Sequence, residues 1–140
     1  MYKAQDLTGF IVGANINATD KYGWSSLHIA CYYGKTDIIK ELITRGAFVA
    51  ALTRGMSTPL HFFVQADVEW KLQRSIILQL IDEGADINAA DSFNGTALFY
   101  ACQSHKNTNF IDFLLRCGAT PNVQYRKDLT CLHLTVSENN

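Results

Sequence analysis

Three stretches of this chain carry the same apolar stripe. Ile38, Ile39, Leu42 and Ile43 fall at i, i+1, i+4 and i+5; Ile76, Ile77, Leu80 and Ile81 repeat that spacing, as do Phe110, Ile111, Leu114 and Leu115. Such a spacing is one stripe of an α-helix. A glycine closes each stretch, at Gly46, Gly84 and Gly118, where a left-handed cap costs little only for glycine. A second apolar segment precedes each stripe. Ser25, Thr58, Thr96 and Thr130 stand at the start of these segments, where a hydroxyl can accept a hydrogen bond from the free N–H groups of a helix N-terminus. Pro59 follows Thr58 at the first helical position, where its missing N–H is no loss. The helix after Ser25 is predicted to end near Gly34, and the next to run from Asp37 to Gly46.

The two signals alternate at a fixed distance. From Gly13 to His28, Gly46 to His61, Gly84 to Phe99 and Gly118 to His133 the step is 15 residues each time. The return step is 18, 23 and 19 residues, so the full period is 33, 38 and 34. A constant step implies a rigid connection. The length changes are confined to one place, between the two elements of a unit. This is an internal repeat of the size that builds solenoids.

The residues at these positions carry a resemblance. Thr58-Pro59-Leu60-His61 is identical to the hallmark tetrapeptide of ankyrin repeats, Gly84-Ala85-Asp86-Ile87-Asn88 matches that family's helix exit, and 33 is its basic period. The chain resembles the family over nearly its whole length. The resemblance implies an all-α, ankyrin-repeat solenoid of helix–turn–helix units joined by β-hairpin-like loops. It implies that His28, His61 and His133, recurring at one repeat position, are hydrogen-bonding struts between loops. It names no partner.

The repeats divide one domain, 1–140, into a partial or capping repeat at 1–19, full repeats at 20–52, 53–90 and 91–124, and a partial repeat at 125–140. In the first segment Leu7, Phe10 and Ile11 give helical spacing, while Gly9 weakens a helix interior by about 1 kcal/mol. It reads as a degenerate cap or as the cut edge of a longer array. Repeat 20–52 is the most regular, with Asp20 where the family has an aspartate that ties down the loop. In repeat 53–90, Thr53 replaces that aspartate and Met56 the following glycine, so a distorted loop is expected. This repeat also carries about five extra residues within Asp67–Arg74, read as a longer turn or as one added helical turn, with Trp70 covering the neighbouring repeat. Repeat 91–124 restores Asp91 but has Asn94 and Phe99 in place of glycine and histidine, and one extra residue near His105. The incomplete ends, with Tyr125 in the aspartate position, suggest a module of a longer protein.

Composition narrows the function. With 48% hydrophobic and 18% charged residues the chain reads as folded. Twelve basic against thirteen acidic residues give no field of the kind that draws nucleic acid or acidic membranes. No apolar run approaches the ~18 residues of a membrane span, and the N-terminus lacks the apolar core of a secretory signal. Cys31, Cys102, Cys117 and Cys131 form no Cys-x-x-Cys pair and read as small buried thiols of a reducing compartment. Together these features predict an intracellular, cytoplasmic protein, with the nucleus left open.

No nucleophile elbow, zinc-protease helix motif or phosphate-binding glycine loop is present, and no two carboxylates are paired in an apolar setting, so no catalytic residue, metal or cofactor is assigned and an enzyme is not expected. The histidines lie on successive repeats and are not spaced as ligands of one zinc ion. Asn88, with Leu80 eight residues upstream and Asp86-Ile87 just before it, resembles the segment that asparaginyl hydroxylases modify in ankyrin repeats; the other reading is a loop brace. Asn17 and Asn122 share the position without the full pattern. Tyr22, Trp24, Tyr32, Tyr33, Arg54 and Phe93 are placed along one edge of a concave face, and aromatics dominate binding hot spots; Trp24 and Tyr32 could equally pack on neighbouring loops, and Arg54 could lie over an aromatic ring. The leading expectation is a monomeric scaffold that binds another protein through loop tips and first helices. RNA or small-ligand binding on the same face, with Arg54, Arg126 and Lys127 on loop tips, and a passive spacer role are the alternatives.

Overall fold

The computed structural model describes residues 15–104 and 107–121. Among these residues there are six helices and no strand beyond an isolated Thr19–Ser25 bridge. In chain order they are α1 (Ser26–Tyr33), α2 (Thr36–Thr44), α3 (Pro59–Phe63), α4 (Trp70–Asp82), α5 (Ala97–Gln103) and α6 (Thr108–Arg116). α1 pairs with α2 and α5 with α6, α1 packs on α3 and α3 on α5, and α2 packs on α4, so the units stack side by side. Residues 1–14 of the first partial repeat, with Leu7, and all of the last, with Thr130, Cys131 and His133, lie outside the described residues, as does His105.

Local chemistry fixes each boundary. Ser25, Thr58 and Thr96 cap α1, α3 and α5 by accepting from the backbone N–H groups of His28, His61 and Phe99. Each second helix ends in a paired closure. After α2, Gly46 N–H donates to Ile43 and Ala47 N–H to Leu42; Gly84 and Ala85, then Gly118 and Ala119, repeat the two bonds after α4 and α6. This is the Schellman arrangement, which needs a left-handed residue after the cap; Gly46, Gly84 and Gly118 supply it at φ 86°, 104° and 99°. The stripes face inward as their spacing requires: Ile39, Leu42, Ile76, Ile77, Leu80 and Leu114 are fully buried.

The expected distortion at Thr53 and Met56 is absent. The three turns at Asp20, Thr53 and Asp91 share one hydrogen-bond pattern: Asp20 N–H to Trp24 and Gly23 N–H to Asp20, Thr53 to Ser57 and Met56 to Thr53, Asp91 to Gly95 and Asn94 to Asp91. The left-handed position is occupied by Gly23 at φ 82°, Met56 at φ 63° and Asn94 at φ 65°. Thr53 Oγ1 accepts from Ser57 N–H at 3.1 Å, doing with a hydroxyl part of what the aspartates do with two N–H acceptances each. Stacking of the neighbouring turns holds Met56 in a conformation that its side chain disfavours.

The extra residues of the second repeat resolve as an added helical turn. α4 has 13 residues where α2 and α6 have 9 each. Gln73 secures that turn: it is buried, and its amide donates to the Phe63 and Ala66 carbonyls at 3.1 and 3.3 Å, at the end of α3. Trp70 lies against Phe110 and Phe113 of α6, ring centroids 5.7 and 5.4 Å away, and so covers the next repeat.

Candidate interaction surface

The recurring histidines are built into the frame of the surface. At the third position of α1, where a capping box usually has Glu or Gln, His28 Nδ1 accepts from Ser25 N–H at 3.1 Å while its Nε2 donates to the Ala51 and Ser57 carbonyls, 3.0 Å each, in the next loop. His61 does the same in α3, accepting from Thr58 N–H at 2.9 Å and donating to the Gly95 carbonyl at 2.9 Å. One ring thus closes its own helix and ties it to the following repeat. Burial pushes both imidazoles below the ordinary value of 6.5, with the carbonyl bonds opposing. Phe99 cannot make this link; the Tyr100 hydroxyl beside it donates to Asp91, within the same repeat.

Backbone bonds then join the loop tips edge to edge. Arg54 N–H donates to the Tyr22 carbonyl at 3.0 Å, and Ser92 N–H to the Gly55 carbonyl at 2.9 Å. The tips expose Tyr22 (56%), Met56 (49%) and Phe93 (51%). Behind them, α1 and α3 present a ring cluster. Trp24 packs on Phe62 at 4.4 Å between centroids, and Tyr32 stands edge-on to Trp24, Phe62 and Tyr33 at 5.7, 6.2 and 5.1 Å.

The six aromatic and basic positions singled out in the sequence therefore divide. Trp24, Tyr32 and Tyr33 come together; Trp24 and Tyr33 are half-buried against the core, and Tyr32 is exposed. Tyr22 and Phe93 occupy equivalent loop tips, with Gly55 at the same place between them. Arg54 is exposed and belongs to the edge through its backbone, but the cation over the Tyr22 ring is Lys21, at 5.1 Å. Phe62, at the centre of the cluster, is missing from the sequence-derived set. It falls 33 residues after Ile29, and comparing first-helix positions across repeats would have exposed it.

Asn88 is exposed and bridges to the next repeat: its Oδ1 accepts from Thr120 N–H at 2.8 Å and its Nδ2 donates to the Gly118 carbonyl at 3.0 Å. Asn17 makes a similar reach, accepting from Phe48 N–H at 2.8 Å. The brace is thus present; Asn122 lies outside the described residues. Cys31 and Cys117 are free thiols raised by burial, and Cys102 is buried in α5. Among the described residues, no group of three His, Cys, Asp or Glu could hold a metal ion, and no helix is long and apolar enough to cross a membrane.

A family model described as ankyrin repeats, in three copies, matches residues 2–91 and 68–140. Among curated proteins, the chain is similar to neurogenic locus notch homolog protein 1 of Danio rerio, with 30% identity over 139 residues and 98% of this chain covered. The Xenopus laevis protein of that name is 27% identical over 147 residues, covering 84% of the chain, and the Homo sapiens one 27% over 152 residues, covering 87%. The chain spans about 6% of the length of each.

Proposed function

Starting from the fact that this chain belongs to the ankyrin-repeat family, a family of interaction modules without enzymatic activity, we propose that it binds another protein through the face formed by the loop tips and the first helices. One observation carries this reading: three of the five exposed rings among the described residues, Tyr22, Tyr32 and Phe93, each 43% exposed or more, belong to the loop tips and first helices, and Tyr32 stands against the half-buried Trp24–Phe62 pair. Large aromatics left in reach of solvent on a rigid frame are the residues from which interfaces draw most of their energy. The charge balance of the chain, −1 overall, favours a protein over nucleic acid. In this proposal one domain carries full repeats at 20–52, 53–90 and 91–124, with partial repeats at 1–19 and 125–140, and acts as a monomer inside the cell, in the cytoplasm. Once a partner is captured, Tyr22→Ala, Tyr32→Ala and Phe93→Ala are each expected to weaken it about tenfold or more with little change in thermal midpoint. Unchanged affinity in all three variants would reject the face.

Asn88 supports a second reading, as a site of hydroxylation, because its side chain is exposed on a loop. An enzyme would have to release its bonds to Gly118 and Thr120 first. Incubation with an asparaginyl hydroxylase and peptide mass spectrometry should find one added oxygen at Asn88. Modification confined to Asn17 or Asn122 would reject the assignment.

A further inference from the structure

Beside the ring cluster, the end of α1, α3 and the segment after it enclose an open groove of about 300 Å³, lined by Tyr32, Phe62, Gln65, Ala66 and Asp67. Its chemistry has one sign. Aromatic faces are electron-rich and attract cations. The Asp67 side chain is exposed; the ion pairs among the described residues are Arg45 with Glu41 and Arg116 with Asp112, so its carboxylate is matched by no cation of the described chain. Gln65 Nε2 is already committed to the His61 carbonyl at 2.9 Å, which leaves its amide oxygen as an acceptor. Arg74, in the added turn, is turned to the Phe113 ring, 5.7 Å from its centroid.

We propose that this groove receives a basic side chain, arginine or lysine, from an extended segment of the partner protein. The alkyl stem would lie along Tyr32, Phe62 and Ala66, as long basic side chains lie on apolar surface, and the charged head would meet Asp67 and the Gln65 oxygen. The assignment rests on the protein-binding function proposed above and adds the character of the contacting residue. It also gives the extra residues of the second repeat a role, since Asp67 opens that segment.

The test uses the full chain and four blocked tripeptides, Gly-X-Gly, with arginine, lysine, norleucine or glutamate as X, titrated while backbone amide shifts are followed by NMR. Arginine and lysine peptides are expected to move the amides of Gln65, Ala66 and Asp67, with norleucine about fivefold weaker and glutamate silent. Asp67→Asn, at an exposed position, should weaken the basic peptides about threefold and leave norleucine unchanged, and added salt should act in the same direction. Norleucine binding as tightly as arginine, no effect of Asp67→Asn, or shifts centred elsewhere would overturn the assignment. These outcomes are separable from failure of the function itself: if the peptides do not discriminate but Tyr22→Ala and Phe93→Ala still release a captured partner, the groove is wrong and the face stands.

Discussion

Two glycines in left-handed conformation, Gly23 and Gly46, should respond very differently to one added methyl group. Both have positive φ, 82° and 86°, so alanine at either carries a backbone cost of about 1–2 kcal/mol, part of it offset by about 0.4–1 kcal/mol from the stiffer unfolded chain. At Gly46 nothing lies within 4 Å of the new Cβ, and the cost ends there. At Gly23 the Cβ would stand 3.0 Å from Arg54 N and 3.1 and 3.2 Å from Thr53 Cα and carbonyl carbon. Those atoms are backbone and cannot rotate away. Relief requires the first two turns to separate, which strains the Arg54-to-Tyr22 hydrogen bond, a term of about 0.5–1.5 kcal/mol. We therefore expect Gly46→Ala to cost about 1 kcal/mol and Gly23→Ala roughly 1.5–2.5 kcal/mol. Urea unfolding followed by circular dichroism measures both. Because solenoid stability is a sum of repeat and interface terms, Gly23→Ala should also lower the slope of the transition by uncoupling the first repeat. Equal costs with equal slopes would refute the claim that the loop edge is closely packed.

The remaining expectations concern the struts and the inserted turn. His28 and His61 bind protons less readily when folded than at their ordinary value of 6.5, so the unfolded chain holds more protons on acidification. Their contribution should be fully present above about pH 6.5 and fall as pH drops below it; His28→Gln,His61→Gln should flatten the urea-midpoint profile between about pH 5 and 7, and an unchanged profile would show that other groups set it. Gly46→Val and Gly84→Val, adding a β-branched side chain to the cap position, should each cost more than the ~1 kcal/mol of ordinary propensity loss, checked by the same unfolding assay. Trp70→Ala should uncover Phe110 and Phe113 and cost about 2 kcal/mol; hydrogen exchange should rise in α6 while α1 stays protected, and uniform exchange would contradict the cover.

Much of this architecture is legible in the chain because local rules and repeat spacing agree. A hydroxyl at Ser25, Thr58 and Thr96, an apolar stripe and a closing glycine each point to the same helix ends, and the 15-residue step predicts a rigid loop. Thr53 and Met56 mislead because their deviation is read one loop at a time, whereas the loop is held by Tyr22 on one side and Ser92 on the other through backbone bonds. Phe62 escapes notice because an aromatic inside a short apolar run reads as core; only its packing against Trp24 and Tyr32 shows that it reaches the surface. The link from Gln73 back to α3 is equally hidden, since a glutamine in a helical stretch reads as solvent-facing until the added turn folds over the Phe63 carbonyl.

The most direct test of the proposed binding face is positional crosslinking in the cells that make the protein. A photoreactive phenylalanine analogue placed singly at Tyr22, Gln65 or Phe93 samples the loop tips and the segment that follows first helix α3, and at Lys40 or Asp112 it samples exposed positions of the second helices. Binding through the loop-tip face predicts one partner band from Tyr22, Gln65 and Phe93 and none from Lys40 and Asp112. The same band from Lys40 and Asp112, with nothing from the other three, would contradict it.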